Sequence, residues 1–245
     1  MPLGQFDKAV ADIEAVETLL AGKLGRVEEI LAYGGMAVVR LRQGDQSLAQ
    51  QAAEKAAQLI EQARPVSYTL LYAYACVAEV YLALWEADLQ VDVRSCMEPS
   101  PTDVQSTTND QQSAVRRVQA EAQRACRALQ RFARVFPIGQ PRAWLWQGMY
   151  EWLSGRPTRA HKAWQKSLAS AERLKMPYEQ GLAQYEMGRH MRGADRQRYL
   201  TRASEIFSRI GATYDLARAQ AAAERSAEIA SPQPAGSVGL PDQPR

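Results

Sequence analysis

The 245-residue sequence predicts an all-α protein, a superhelical array of helix hairpins. Apolar residues recur at helical spacing, as in Phe6, Val10, Ile13, Val16 and Leu20, and continuous alternation of the β type is absent. The breaks between periodic segments carry helix punctuation: "QGD" at Gln43 to Asp45 supplies a terminating glycine and then a capping aspartate, and "SGRP" at Ser154 to Pro157 places proline at a helix start. Small residues also return at matched positions in successive helix pairs. Helix axes come within about 8 to 10 Å only where the crossing side chains are small.

Taken in order, the first predicted helix covers 5–22 on the stripe just named, and the second, 26–43, closes at Gly44. Asp45 caps the third, 46–63, which stops before Pro65. The fourth, 66–88, contains "LLYAYACVAEVYLALW". Glu79 interrupts it, and no run approaches the ~18 apolar residues of a membrane span, so it reads as a buried helix. Helix 111–135 ends before Pro137; 140–154 and 157–174 flank the "SGRP" turn; 178–191 follows Pro177; 196–210 and 213–229 complete the array. Two segments fall outside the pattern. The polar text "LQVDVRSCMEPSPTDVQSTTN" has two prolines, so 89–110 is expected to be a disordered insertion in a helical domain spanning 1–230; the Pro/Gly text of 231–245 is expected to be a disordered tail.

The repeat fixes the class of hairpin. One unit gives Ala37, Gly44, Ala49 and Ala53, and another gives Gly148, Gly155, Ala160 and Trp164 at the same internal spacing. Ala78 with Tyr81, and Gly188 with Ala203 and Phe207, supply two looser units. The steps from Ala37 to Ala78, Gly148 and Gly188 are 41, 70 and 40 residues; removing an insertion of about thirty leaves a period near forty, longer than the ~34 of tetratricopeptide repeats. The units are tetratricopeptide-like hairpins with extended helices, stacking into a right-handed superhelix, an α-α solenoid. Gly4, Ala9 and Ile13 align with Gly44, Ala49 and Ala53, which makes 4–22 a second helix without its first. It either caps the array or follows upstream repeats of a longer chain.

At residues 136–220 the sequence also resembles a particular family. "PRAWLWQGMYEWLSGRPTRAHKAWQKSLASAERLKMPYEQGLAQYEMGRH" and "RASEIFSRIGATYDLARAQ" resemble the C-terminal tetratricopeptide region of bacterial-type signalling proteins. Those proteins carry class III nucleotide cyclase or protein kinase domains ahead of a STAND-type ATPase module. In that family the catalysis belongs to the upstream domains, so no catalytic residue carries over. No Walker A loop occurs here, and no cyclase metal aspartates can be placed.

Chemistry is sparse in the residues themselves. A net charge of +3 is too small to point to nucleic acid. Cys76, Cys96 and Cys126 form no C-x-x-C pair, which fits a reducing cytosol, and the start of the chain lacks a signal-peptide pattern. Cys76 and Cys126 read as small core residues, and Cys96 as the reactive thiol. Neither His161 nor His190 has a His, Cys or carboxylate at i+3 or i+4, so no metal ligand pair is expected. Trp144, Trp146, Tyr150, Trp152 and Trp164 read as packing between helix layers, with Trp144 and Gly148 facing the partner helix.

First helices line the concave groove of such arrays, and matching positions predict a lining of Tyr72, Glu79, Arg142, Met149, Trp152, Tyr185, Arg189 and Arg192. Arginines and aromatics there would suit an acidic or C-terminal peptide. The expected function is a cytoplasmic, non-catalytic scaffold for a protein or peptide partner, or for upstream ATPase, cyclase or kinase domains. No cofactor, metal, membrane or direct nucleic-acid contact is expected. The alternatives are the repeat domain of a transcriptional regulator whose DNA-binding module lies elsewhere and, with less support, a stand-alone all-α enzyme. Arg189→Glu is expected to weaken capture of an upstream domain without loss of helicity.

Overall fold

The computed structural model describes residues 25–97 and 105–230, with isolated positions 11, 12, 15 and 18. The described residues are helical, with no strand among them. They form α1 (Arg26–Arg42), α2 (Gln46–Glu61), α3 (Leu71–Met97), α4 (Gln105–Val135), α5 (Gln140–Leu153), α6 (Pro157–Arg173), α7 (Pro177–His190), α8 (Gly193–Ile210) and α9 (Thr213–Ala230). Short 3-10 turns at Tyr68–Leu70 and Pro137–Gly139 lead into α3 and α5. Of the predicted helix 5–22, positions 11, 12, 15 and 18 are helical; Gly4, Ala9 and Ile13 lie outside the described residues, as does the tail 231–245.

Neighbouring helices pair as α1 with α2, α3 with α4, α5 with α6 and α7 with α8, and α9 packs on α8. The first helices also touch in succession, α1 to α3 to α5 to α7. One hydrophobic core runs through these contacts from Ile30 to Ala222. α3 packs against α1, α2, α4 and α5, which is why its apolar run is nearly continuous. By length and composition Tyr68–Val91 could cross a membrane, but two thirds of its most apolar stretch is buried inside the molecule.

The segment expected to be a disordered insertion is helical over 89–97 and again over 105–110; residues 98–104 lie outside the described residues. The 70-residue step from Ala78 to Gly148 is therefore taken up largely by longer helices, 27 residues in α3 and 31 in α4. Once packing has nucleated a helix pair, each added turn costs little, so polar residues without a core to join can prolong it.

The repeat positions sit where helices cross. Ala49, Ala160 and Ala203 are each 0% exposed. A side chain at Gly148 would place its Cβ 2.2 Å from Trp164 Nε1, and Trp164 donates that N–H to the carbonyl of Leu145 at 3.2 Å. Hydrogen bonds add to the same joint: Ser167, buried on α6, donates to the carbonyl of Pro141 on α5 at 2.8 Å. The turn from α6 to α7 has a conformation that usually takes glycine, with φ of 55° at Lys175. Met176 N–H there closes back on the Ala171 carbonyl at 2.9 Å.

Gly148→Ala is expected to destabilise the chain by about 2 kcal/mol, because the buried Trp164 ring has no free space to yield. Lys175→Gly should stabilise it by about 1 kcal/mol through relief of the left-handed backbone. Urea titrations followed by helical circular dichroism measure both shifts.

Candidate functional site

The face formed by α1, α3, α5 and α7 is where the sequence placed a groove, and α9 closes it. The Arg42 guanidinium at the end of α1 lies 4.7 Å from the ring centroid of Tyr214 on α9, and also approaches Glu79 on α3 at 3.6 Å. From there a chain of charges crosses the molecule. Arg142 on α5 meets Glu179 on α7 at 3.4 Å and lies over the Tyr178 ring at 5.2 Å. Tyr178 donates its hydroxyl to Asp215 at 2.9 Å, and Asp215 pairs with Arg218 at 3.3 Å. Arg218 lies over both Tyr185 and Tyr214, at 4.8 and 5.6 Å. Arg189 bonds Glu86 on α3 and approaches Glu186 at 3.7 Å.

Glu186 is the most deeply placed of these carboxylates, with its side chain 5% exposed. Burial by itself raises its pKa, but Arg189, His190 and Arg218 outweigh that and hold it below the ordinary carboxylate value. Burial works against the charge of Arg142 too; Glu179, Tyr178 and Glu79 more than compensate and keep it firmly cationic. Tyr178 is pushed up to about 12 by burial and by its bond to Asp215, so it stays a donor. Cys76 and Cys126 are buried and pushed up to about 12, which leaves both unreactive at neutral pH. The Cys96 side chain lies outside the described residues.

The predicted groove residues thus divide. Glu79, Met149 and Arg189 line one cavity of about 120 Å³, with Tyr185 beneath Arg218 and Arg142 bonded to Glu179 alongside. Their polar groups meet one another, which makes the groove an internal seam. The other three positions differ. Tyr72 borders the seam, within the influence of Arg42 and Glu79, yet is 54% exposed, and Arg192 is exposed at the start of α8. Trp152 is engaged in ring packing, 6.0 Å from Trp164 and 4.3 Å from the His190 ring. His190 stacks on Trp164 within 5° of parallel, and its carboxylate neighbour is Glu186, at i−4 and 3.5 Å, a direction the i+3 and i+4 test did not cover. Among the described residues no group of three or more His, Cys, Asp or Glu is placed to hold a metal ion.

Sequence reasoning missed Arg42, Glu86, Glu186, Tyr214, Asp215 and Arg218. One signal was available. Positions 181–188 of α7 are buried on all sides, and a carboxylate in such a helix requires a counter-charge, which Glu186 has at i+3 in Arg189. The other partners lie 103 and 37 residues apart along the chain, as in Arg189 with Glu86 and Tyr178 with Asp215. No family model matches the sequence, and no curated protein matches it.

Because the ionised Glu186 is favoured by folding, its contribution to stability is complete above its ordinary value of 4.5 and is lost as pH falls through the lower folded-state value. Thermal melts below pH 4.5 should therefore show falling stability, with a shallower fall in Glu186→Gln. Arg189→Glu would leave Glu86 and Glu186 facing a third carboxylate. It is expected to cost about 3 kcal/mol or more in a urea titration, so loss of capture by this variant would report damage to the fold.

Proposed function

We propose that this chain is a non-catalytic helical-repeat module that holds a protein partner, built as a right-handed superhelical stack of tetratricopeptide-like hairpins. The observation that carries the reading is the recurrence of one joint. Ala49 and Ala160 are each the fourth residue of the second helix in their hairpins, and Ala203 lies deeper in its own; all three are wholly buried, while the first helices pack in succession. An array of this kind depends on contacts between neighbouring repeats and offers a long rigid surface, the property such modules use in recognition. The family resemblance at 136–220 supports a cytoplasmic, regulatory role, in which the module positions a signalling ATPase, cyclase or kinase domain.

The internal seam bears on where a partner docks. Its charges are already paired with one another, so an incoming segment would have to break Arg42, Arg142 and Arg189 away from their carboxylates before binding. Recognition is therefore assigned to the outer faces of the helices. Affinity capture with lysine cross-linking, in extract of the cells that make this protein, tests the reading. A protein joined to lysines of the second-helix face, Lys162 or Lys166 among them, is the expected result. A chain that remains uncross-linked at its own mass would overturn it.

A further inference from the structure

On the face opposite the seam, α4 and α6 stand on either side of α5 and leave a cleft of about 540 Å³. A second cavity of about 270 Å³ continues it and shares Gln130 and Trp144 with it, so the depression runs along the helices. Its walls are cationic. α4 contributes Arg127 and Arg134, and α6 contributes Arg159, Lys162 and Lys166. One carboxylate lines it, Glu151, and Arg156 pairs with that at 2.7 Å. None of the five wall cations has a carboxylate partner among the described residues. Lys166 instead lies 4.4 Å from the centroid of the Trp144 ring.

The cleft's excess of five positive charges exceeds the +3 of the whole chain, so the remaining sequence is slightly acidic. Unpaired positive charge is thus concentrated in a recess between two helices. A duplex or a bilayer needs a broad basic face, which this is not. The floor favours a peptide over other anions. Gln130 Nε2 donates to Gln147 Oε1 at 2.7 Å, and Gln147 Nε2 donates to Glu151 Oε1 at 2.8 Å. That leaves Gln130 Oε1 as an acceptor with no partner among the described residues. A peptide N–H can donate to it, whereas the phosphates of a phosphodiester backbone carry no donor. The length of the depression also exceeds what a single small anion fills.

We propose that the cleft between α4 and α6 binds an acidic peptide segment of a partner protein, its carboxylates meeting Arg127, Arg159 and Lys162 and its backbone meeting Gln130. The proposal rests on the reading of the chain as a protein-binding module and names the partner's chemistry. Arg159 and Lys162 are exposed, so reversing their charge leaves the core intact.

The test is fluorescence anisotropy of the full chain with a fluorescein-labelled glutamate-rich peptide. Inorganic phosphate serves as competitor, and a single-stranded oligonucleotide of equal charge serves as the alternative ligand. The double variant Arg159→Glu with Lys162→Glu is expected to bind the peptide about tenfold more weakly or worse, and Arg209→Glu, exposed and outside the cleft, to bind it as the unchanged chain does. Added salt should weaken the complex. If the double variant melts early, Arg127→Gln replaces it with a smaller loss expected.

Unchanged affinity in the variant, an oligonucleotide bound more tightly than the peptide, or displacement by millimolar phosphate would overturn the cleft assignment. So would a native partner cross-linked only at another face, while leaving the module reading in place. Failure to capture any protein would overturn the module reading itself.

Discussion

The structure depends on how closely two helices can approach. A single hairpin here has an apolar side that it cannot cover, and covering it requires the next hairpin to come near enough for rings and branched side chains to interlock. Gly148 meets this need at the α5–α6 crossing, where the indole of Trp164 occupies the space a Cβ would take and reaches the Leu145 carbonyl. Ala160, at the start of the same second helix, keeps the backbone entry tight. Removing small residues from these crossings would separate the layers, and each large side chain now filling a gap would become an obstacle.

Close packing brings charges inward as well as apolar groups. α7 is surrounded, yet it carries Glu186 and ends in Arg189 and His190. The molecule resolves this by bringing Glu86, Arg218 and the tyrosines of the last helices to the same place. Buried ion pairs of this sort add little net stability over apolar packing of the same volume, because desolvation offsets the attraction. They are sharply selective about arrangement, since any shift that parts Arg42 from Tyr214 or Arg189 from Glu86 leaves an uncompensated charge inside. The network therefore ties the first described helix to the last and sets the helices in register.

The same closure separates the faces by chemistry. Inside, arginine meets carboxylate and tyrosine, and the charges are largely engaged with one another. Outside, between α4 and α6, arginine and lysine project with almost no carboxylate among them. The two surfaces are built from the same residue types, and what differs is whether each cation has found an intramolecular partner.

Sequence alone determined the helical class, the turns at Gly44 and Gly155, and the spacing of Ala49, Ala160 and Ala203, since helical periodicity, capping and small-residue packing are all local or act between adjacent helices. It misread 89–97 and 105–110, where a polar composition suits either a loop or a helix prolonged by its neighbours. The groove was legible only in part. Spacing put Glu79, Met149, Arg142, Tyr185 and Arg189 on one side of the first helices, but could not show that Arg42, Glu86 and Arg218 would meet them. Those partners lie far apart along the chain and are brought together by the packing of successive helices, which no local pattern encodes. Tertiary structure alone decided which cations were neutralised within the chain and which were left facing solvent.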